Sequence, residues 1–253
     1  MKVLVIGDMC RDVYIYGTCR KMCPDAPIPV FVPTQKRENK GMAGNVYENL
    51  LSLSMPSVLI SNDNAVIKTR YVEESKNHML LRVDSGEESI NRITGIEDFR
   101  LSDYDAVIIS DYDKGYIHED DIRLICHYHP LVFLDTKKII GEYCKNCAFI
   151  KINVSEYERS FKDFKNPAEL WAEDKMIVTL GSAGCMFKNN IYKVEKVEIR
   201  DTSGAGDTFL ASLVFEYLQS GDIEKALKFA NKCSTIVVQQ KGVTVIDDAQ
   251  RIL

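Results

Sequence analysis

Asp201-Thr202-Ser203-Gly204-Ala205-Gly206-Asp207-Thr208, with the apolar run Phe209 to Leu218 behind it, is the stretch on which the fold turns. Two glycines flank an alanine, so the backbone can turn tightly and bring its N–H groups close to a ligand. In the following run Leu210, Leu213, Val214 and Leu218 fall on one helical face. The spacing therefore predicts a helix that starts at the glycines, where open N–H groups and the helix dipole favour an anion. Asp207 stands in its first turn. Amides that neutralise phosphoryl oxygens, beside a carboxylate that orients a hydroxyl and takes its proton, are the parts that phosphoryl transfer requires. A plain glycine turn with a capping acid would account for a lone Gly-x-Gly, but less well for the whole octet.

Outward from this stretch, the C-terminal half predicts alternating strands and helices. Ala106 to Ser110, Leu131 to Asp135, Phe149 to Ile152 and Met176 to Leu180 read as strands, and Glu119 to His127 and Ser155 to Phe161 as helices. Cys185 to Phe187 and Ile191 to Val194 read as a hairpin turning at Asn189-Asn190, and Ile223 to Gln239 as a second long helix. Apolar strands alternating with helices predict a doubly wound, mainly parallel sheet, an α/β fold. At the N-terminus, Lys2 to Ile6 is a buried-strand run closed by Gly7-Asp8. Asp12 to Gly17 and Pro29 to Val32 are extended, Asn45 to Leu53 is helical, and Lys68 to Val72 with Met79 to Val83 form a hairpin. These early strands alternate in polarity and do not suit a fully covered sheet, so they predict a small separate β-layer. One domain with a lid is expected over residues 1–253, the lid strands coming from about 12–35 and 67–84.

With 253 residues, 45% of them apolar, and a net charge of −5, the chain can bury a full core and offers no general surface for nucleic acid or anionic membrane. Neither a signal peptide nor a membrane span is expected. Eight scattered cysteines suit reduced thiols, so a cytoplasmic protein is expected. Cys144-x-x-Cys147 with Cys19 and Cys23 is too loosely spaced for a zinc site, and His127-Tyr128-His129 reads as surface.

The octet resembles the C-terminal signature of the ribokinase/PfkB family of sugar kinases. Three N-terminal pieces sharpen the likeness: Gly7-Asp8-Met9-Cys10-Arg11-Asp12-Val13-Tyr14, Tyr16-Gly17, and Cys23-Pro24-Asp25-Ala26-Pro27-Ile28-Pro29-Val30. With Ser110-Asp111-Tyr112-Asp113-Lys114-Gly115, Asp135-Thr136-Lys137 and Asn153-Val154-Ser155-Glu156, they are similar to the D-glycero-D-manno-heptose 7-phosphate kinase branch, the kinase half of bifunctional ADP-heptose synthesis enzymes. The likeness runs from about residue 3 to about residue 247.

The resemblance implies a ribokinase-like fold, ATP and Mg2+ as cofactors with a monovalent cation as a further candidate, and a homodimer formed through the lid strands. It implies Asp207 as catalytic base and Gly204, Ala205 and Gly206 as anion hole. Asp12, Gly41 and Asn45 would bind the sugar, a carboxylate and an amide each being able to take hydroxyl hydrogen bonds. Asn153 and Glu156 would organise Mg2+ through water, and the same pair also reads as a helix cap. Thr179, Gly181 and Gly184 would meet nucleotide phosphates or ribose, and Asn231, Thr235 and Gly242 would wall off adenine. A sugar that already carries a phosphate needs a second cationic subsite, for which Arg82, Lys114, Lys137 or Lys138 are candidates and Arg70 a weaker one. The implied reaction phosphorylates the heptose at its anomeric hydroxyl. The alternatives are a kinase for another sugar, and a non-catalytic homologue that binds nucleotide or sugar phosphate.

Two departures stand out. The family's Gly-Gly-Ala-x-Asn reads Gly41-Met42-Ala43-Gly44-Asn45, with Gly44 placed to take over the lost freedom. Between Leu53 and Lys68 a βα pair or more is missing, so Ser54 to Ile67 is expected to hold one strand at most. No nucleotidyltransferase domain is recognised, so that step would need a separate protein.

Overall fold

The computed structural model describes residues 1–63, 66–162 and 169–246; residue 247, where the resemblance ends, lies outside them. Eight strands form the main sheet: β1 (Val3–Gly7), β4 (Ser57–Ser61), β7 (Ala106–Asp111), β8 (Val132–Thr136), β9 (Phe149–Asn153), β10 (Met176–Thr179), β11 (Cys185–Phe187) and β12 (Asn190–Tyr192). Their order is β12-β11-β10-β9-β8-β7-β1-β4. The pairs from β4 to β10 are parallel, and at the other edge β11 runs antiparallel to both β10 and β12.

Successive residues of the inner strands enter two different cores, as a doubly covered sheet requires. Val3, Val5, Ile108 and Phe133 pack on the side of α1 (Ala43–Ser52), α5 (Ala205–Ser220) and α6 (Ile223–Val237). Leu4, Ile6, Ile109 and Leu134 pack on the side of α2 (Glu119–Tyr128) and α3 (Val154–Phe161), with the short α4 (Glu169–Ala172) beside them. Among the described residues, no helix is long and apolar enough to cross a membrane.

The remaining strands form a second sheet of order β3-β2-β5-β6: β2 (Met9–Met22), β3 (Pro29–Met42), β5 (Ile67–Glu73) and β6 (His78–Ser85). These strands are longer than the sequence suggests. Thr34-Gln35-Lys36-Arg37-Glu38-Asn39-Lys40 has no apolar alternation, yet it pairs with β2 along its length. It is an exposed edge strand, and charged side chains suit such an edge because they discourage pairing with another chain. Among the described residues between α1 and β5, strand β4 is the one element, at the edge of the main sheet.

Three expectations need correction. The hairpin turns at Lys188-Asn189, both at positive φ, rather than at Asn189-Asn190. His129 is buried, not on the surface: its Nε2 lies 2.9 Å from the Tyr104 carbonyl oxygen and its Nδ1 accepts from the Leu131 amide. Gly44 does not take over the freedom lost at Met42. Met42 itself holds φ 60° and ψ −132° at the start of α1, a backbone region that glycine favours, and its side chain is buried.

Candidate active site

The parallel strands end together at Gly7, Asp111, Thr136, Asn153 and Thr179, the edge at which open α/β sheets bind ligands. The N-terminus of α5 is placed against this edge. Gly204 caps it at φ 78°, and a side chain there would collide with Asn45 Nδ2 at 2.6 Å. Asp201 shapes the approach by accepting from the Ser203 amide at 2.8 Å and the Gly242 amide at 3.1 Å. The first closing bond of the helix runs from the Thr208 amide to the Gly204 carbonyl at 2.9 Å. The amides of Gly206 and Asp207 therefore end the helix at the cavity wall.

Asp207 is buried, and both its oxygens are held. Asn45 Nδ2 donates to Oδ2 at 2.9 Å, and the Tyr112 hydroxyl donates to Oδ1 at 2.6 Å. Asn45 is fixed in turn by Asn49, whose Nδ2 donates to Asn45 Oδ1 at 3.1 Å. Tyr112 is anchored by its amide, which donates to the buried Asp8 carboxylate at 2.7 Å. Burial pushes the Asp207 carboxyl up to about 6; the bonds from Tyr112 and Asn45 pull it back, Asp135 pushes it up and Lys151 draws it down. A carboxyl so placed is ionised at neutral pH and remains basic enough to accept a proton.

On one side of this turn opens a cavity of about 710 Å³, lined by Lys137, Lys151, Asn153, Thr179, Gly181 and Gly184, by residues 204–207, and by Asn231 and Thr235. Asn153 caps α3: its Oδ1 accepts from the Glu156 amide at 2.9 Å, and Glu156 Oε2 accepts from the Asn153 amide at 2.8 Å. Glu156 Oε1 pairs with Lys137 Nζ at 2.5 Å. Gly184 at φ 95° passes so near the Tyr192 carbonyl that a Cβ would lie 2.0 Å from its oxygen. Asn231 Nδ2 donates to that same carbonyl at 2.7 Å, and Thr235 lies one turn further along α6. Val194, Val197, Ile199 and Val238 give the cavity an apolar wall. Gly242 does not line it; its amide binds Asp201 and it lies near the Tyr16 hydroxyl.

On the other side of the turn lies the inner face of the lid. Asp12 forms a buried ion pair with Arg70, whose guanidinium lies 5.1 Å from the centre of the Tyr14 ring. Gly41 is opposite Cys10, and a Cβ there would meet Asp12 Oδ2 at 2.1 Å, so glycine leaves room for that carboxylate. Arg82 binds Asp84 two residues along its own strand at 2.6 and 2.7 Å. Lys114 binds Glu87 at 2.6 Å, and Lys138 binds Asp111 and Asp113.

The structure thus brings Asp207, Asn45 and residues 204–206 together, sets Lys137, Asn153, Glu156 and Thr179 on the cavity side, and sets Asp12, Gly41, Arg82 and Lys114 on the lid side. Sequence reading missed Tyr112 and Lys151. Tyr112 stands out in the sequence only as part of a motif. Lys151 sits in the apolar strand β9, buried against Asp135 at 2.7 Å, with Nζ at the glycine turn. A charge inside a buried-strand pattern was the available signal, since such a residue needs a partner.

Residues 128–249 match the pfkB family of carbohydrate kinases. The bifunctional protein HldE of a Nitratiruptor species is 30% identical over 288 aligned positions, which cover 95% of this chain and 62% of that protein. Its counterpart in Helicobacter pylori (strain J99) is 28% identical over 294, covering 95% and 63%. The chain thus spans a little under two thirds of these curated relatives. Both alignments are longer than the chain, so segments of the relatives have no counterpart here. Among solved structures, a ribokinase from Thermotoga maritima superposes with a TM-score of 0.74 at 15% identity, over 99% of this chain and 97% of that one. Arabidopsis thaliana ribokinase complexed with ribose and ATP gives 0.73 at 15%, over 99% and 97%. These likenesses show that the fold is ribokinase-like.

Proposed function

We propose that this chain, whose residues 128–249 match the pfkB family of carbohydrate kinases, transfers a phosphoryl group from ATP to a hydroxyl of a sugar phosphate. The substrate we assign is D-glycero-D-manno-heptose 7-phosphate, phosphorylated at its anomeric hydroxyl; the N-terminal motifs and the likeness to the HldE proteins support it. One observation carries the reading. A buried carboxylate, Asp207, stands at the N-terminus of α5 between a large cavity and the inner face of a lid.

ATP occupies the cavity, its base against the apolar wall and its phosphates toward Lys137, Lys151 and Thr179. The acceptor hydroxyl reaches Asp207 from the lid side, held by Asp12 and Asn45. Asp207 orients that hydroxyl and takes its proton as the bond to phosphorus forms. The amides of Gly204, Gly206 and Asp207 and the Lys151 ammonium meet the negative charge on the phosphoryl oxygens, in a setting where a fixed donor acts more strongly than in water. The Ala205 amide is engaged by the Thr202 carbonyl at 3.3 Å. Lys137 and Lys151 are restrained by Glu156 and Asp135, which limits their reorganisation.

Among the described residues, no three His, Cys, Asp or Glu side chains converge as a metal site. Glu156 shares its carboxylate between the cavity-lining Lys137 and the Asn153 amide, and one carboxylate acting through water fits Mg2+ bound mainly by nucleotide phosphates and water. Bound there through Glu156 and Asn153, Mg2+ would neutralise charge on the transferring phosphates. The exposed apolar side chains of the lid, Val32, Met79, Leu81 and Val83, support a homodimer formed through its strands.

The test is ADP release with Mg2+ and ATP against heptose 7-phosphate, sedoheptulose 7-phosphate, fructose 6-phosphate, ribose and fructose. Turnover on the heptose phosphate that falls by roughly 10²–10⁴-fold in Asp207→Asn is expected, the range for losing a positioned base. Turnover on another sugar keeps the chemistry and refutes the assigned substrate. ATP binding without any turnover refutes the kinase and leaves a binding protein.

A further inference from the structure

Four cations and three carboxylates gather on the lid side of Asp207. Arg70 is taken by Asp12 and Arg82 by Asp84. The two that remain, Lys68 and Lys114, share Glu87. Lys114 Nζ lies 2.6 Å from Glu87 Oε2, whereas Lys68 Nζ lies 3.8 Å from Oε1, beyond hydrogen-bond reach. Glu87 Oε1 is buried and has no hydrogen-bond partner among the described residues. The Lys68 ammonium also lies 3.5 Å from the Met42 sulfur and 5.8 Å from the centre of the Tyr112 ring. Lys68 is paired across β5 and β6 with Asp84, whose carboxylate is already bonded to Arg82. A thioether and a ring face neutralise an ammonium poorly. Lys68 is nevertheless 93% buried and lies opposite Asp12 in the parallel pairing of β2 with β5, while its ring neighbour Tyr112 binds Asp207 directly. A buried ammonium without a bonded anion is costly, and an anion delivered to it is held strongly. Glu87 stands on a short turn behind Gly86, which holds φ 83°, rather than on a strand.

On the sugar-phosphate reading above, we propose that Lys68 and Lys114 form the subsite for the phosphate the substrate already carries, and that Glu87 holds that place until the phosphate displaces it. A phosphate dianion offers oxygens to both ammonium groups, where one carboxylate reaches only Lys114. Selection for a phosphorylated sugar then rests on Lys68 of lid strand β5 and Lys114 just after β7, apart from the anion hole at residues 204–206.

Calorimetric titration tests this without turnover, using heptose 7-phosphate and the same heptose lacking its phosphate. Lys68→Met should weaken the phosphorylated sugar at least about tenfold and leave the plain heptose within about twofold of wild type. Lys114→Met should act in the same direction, and Lys68→Arg should restore much of the loss, which a folding defect would not allow. Glu87→Gln should tighten the phosphorylated sugar severalfold and leave the plain one alone. Equal effects on both ligands, weaker binding in Glu87→Gln, or no binding of the phosphorylated sugar to wild type would each overturn the assignment. ADP release is read separately: selective binding without turnover keeps the subsite and removes the kinase, and turnover without selective loss does the reverse.

Discussion

Asp207 can act as a base only when ionised, and burial holds its carboxyl near 6. The turnover rate per enzyme–sugar encounter, kcat/KM, should therefore rise with pH through about 6 and level off above it. Tyr112 stabilises the ionised form by donating to Oδ1, as Asn45 does at Oδ2, and Lys151 adds a nearby positive charge while Asp135 opposes it. Removing the hydroxyl in Tyr112→Phe withdraws stabilisation from the anion, so the carboxyl must titrate higher. The acid limb should move upward by roughly one pH unit, the size of one hydrogen bond to a charged group. A limb that stays in place would mean that the Tyr112 bond does not act on the working carboxylate.

At the scale of elements, legibility followed the strength of local rules. The Gly204–Asp207 turn was legible because glycine spacing and a helical apolar run point to the same place, and the inner strands were legible because both their faces are apolar. The Thr34 to Lys40 part of β3 was not, because a solvent-exposed edge carries no apolar alternation. Of the candidate cations, sequence could place Lys137 in a motif. It could not show that Lys137 turns to Glu156 while Lys68 stands on the lid side, 3.8 Å from Glu87, since such partners are far apart in the chain. At Gly184 the structure makes a sharp demand. Its φ of 95° and the Tyr192 carbonyl, 2.0 Å from any Cβ, leave no room for a side chain, and the obstacle is backbone that cannot swing aside. Gly184→Ala should lower stability by on the order of 2 kcal/mol, seen as a fall in Tm of about 4–8 °C in a chain of this size. An unchanged Tm would show that the β11–β12 edge can rearrange freely.

For the whole molecule, the two faces of the lid differ in character. Thr69, Tyr71, Leu81 and Val83 lie on the face opposite Lys68, Arg70 and Arg82, by the alternation of β5 and β6. Leu81 is 56% exposed and Val83 46%, an apolar area open to solvent. Leu81→Asp should turn a dimer into a monomer by light scattering while far-UV circular dichroism stays unchanged; wild type that already runs as a monomer would dismiss the lid dimer.

The lid also leaves the main sheet by very short joints. Asp8 alone separates β1 from β2, and β3 passes from Met42 straight into α1, the two joints being tied by the Ala43 amide to the Asp8 carbonyl at 3.0 Å. Asn45, which grips Asp207, is three residues past Met42. The lid is thus joined directly to the first turn of α1, which carries Asn45. On the proposed reading, sugar bound at Asp12 on β2 would press, through the paired strand β3, on Asn45, which donates to Asp207. In deuterium uptake, the amides of residues 43–46 should slow together with those of the lid strands when sugar binds, although the sugar itself touches only a few of them.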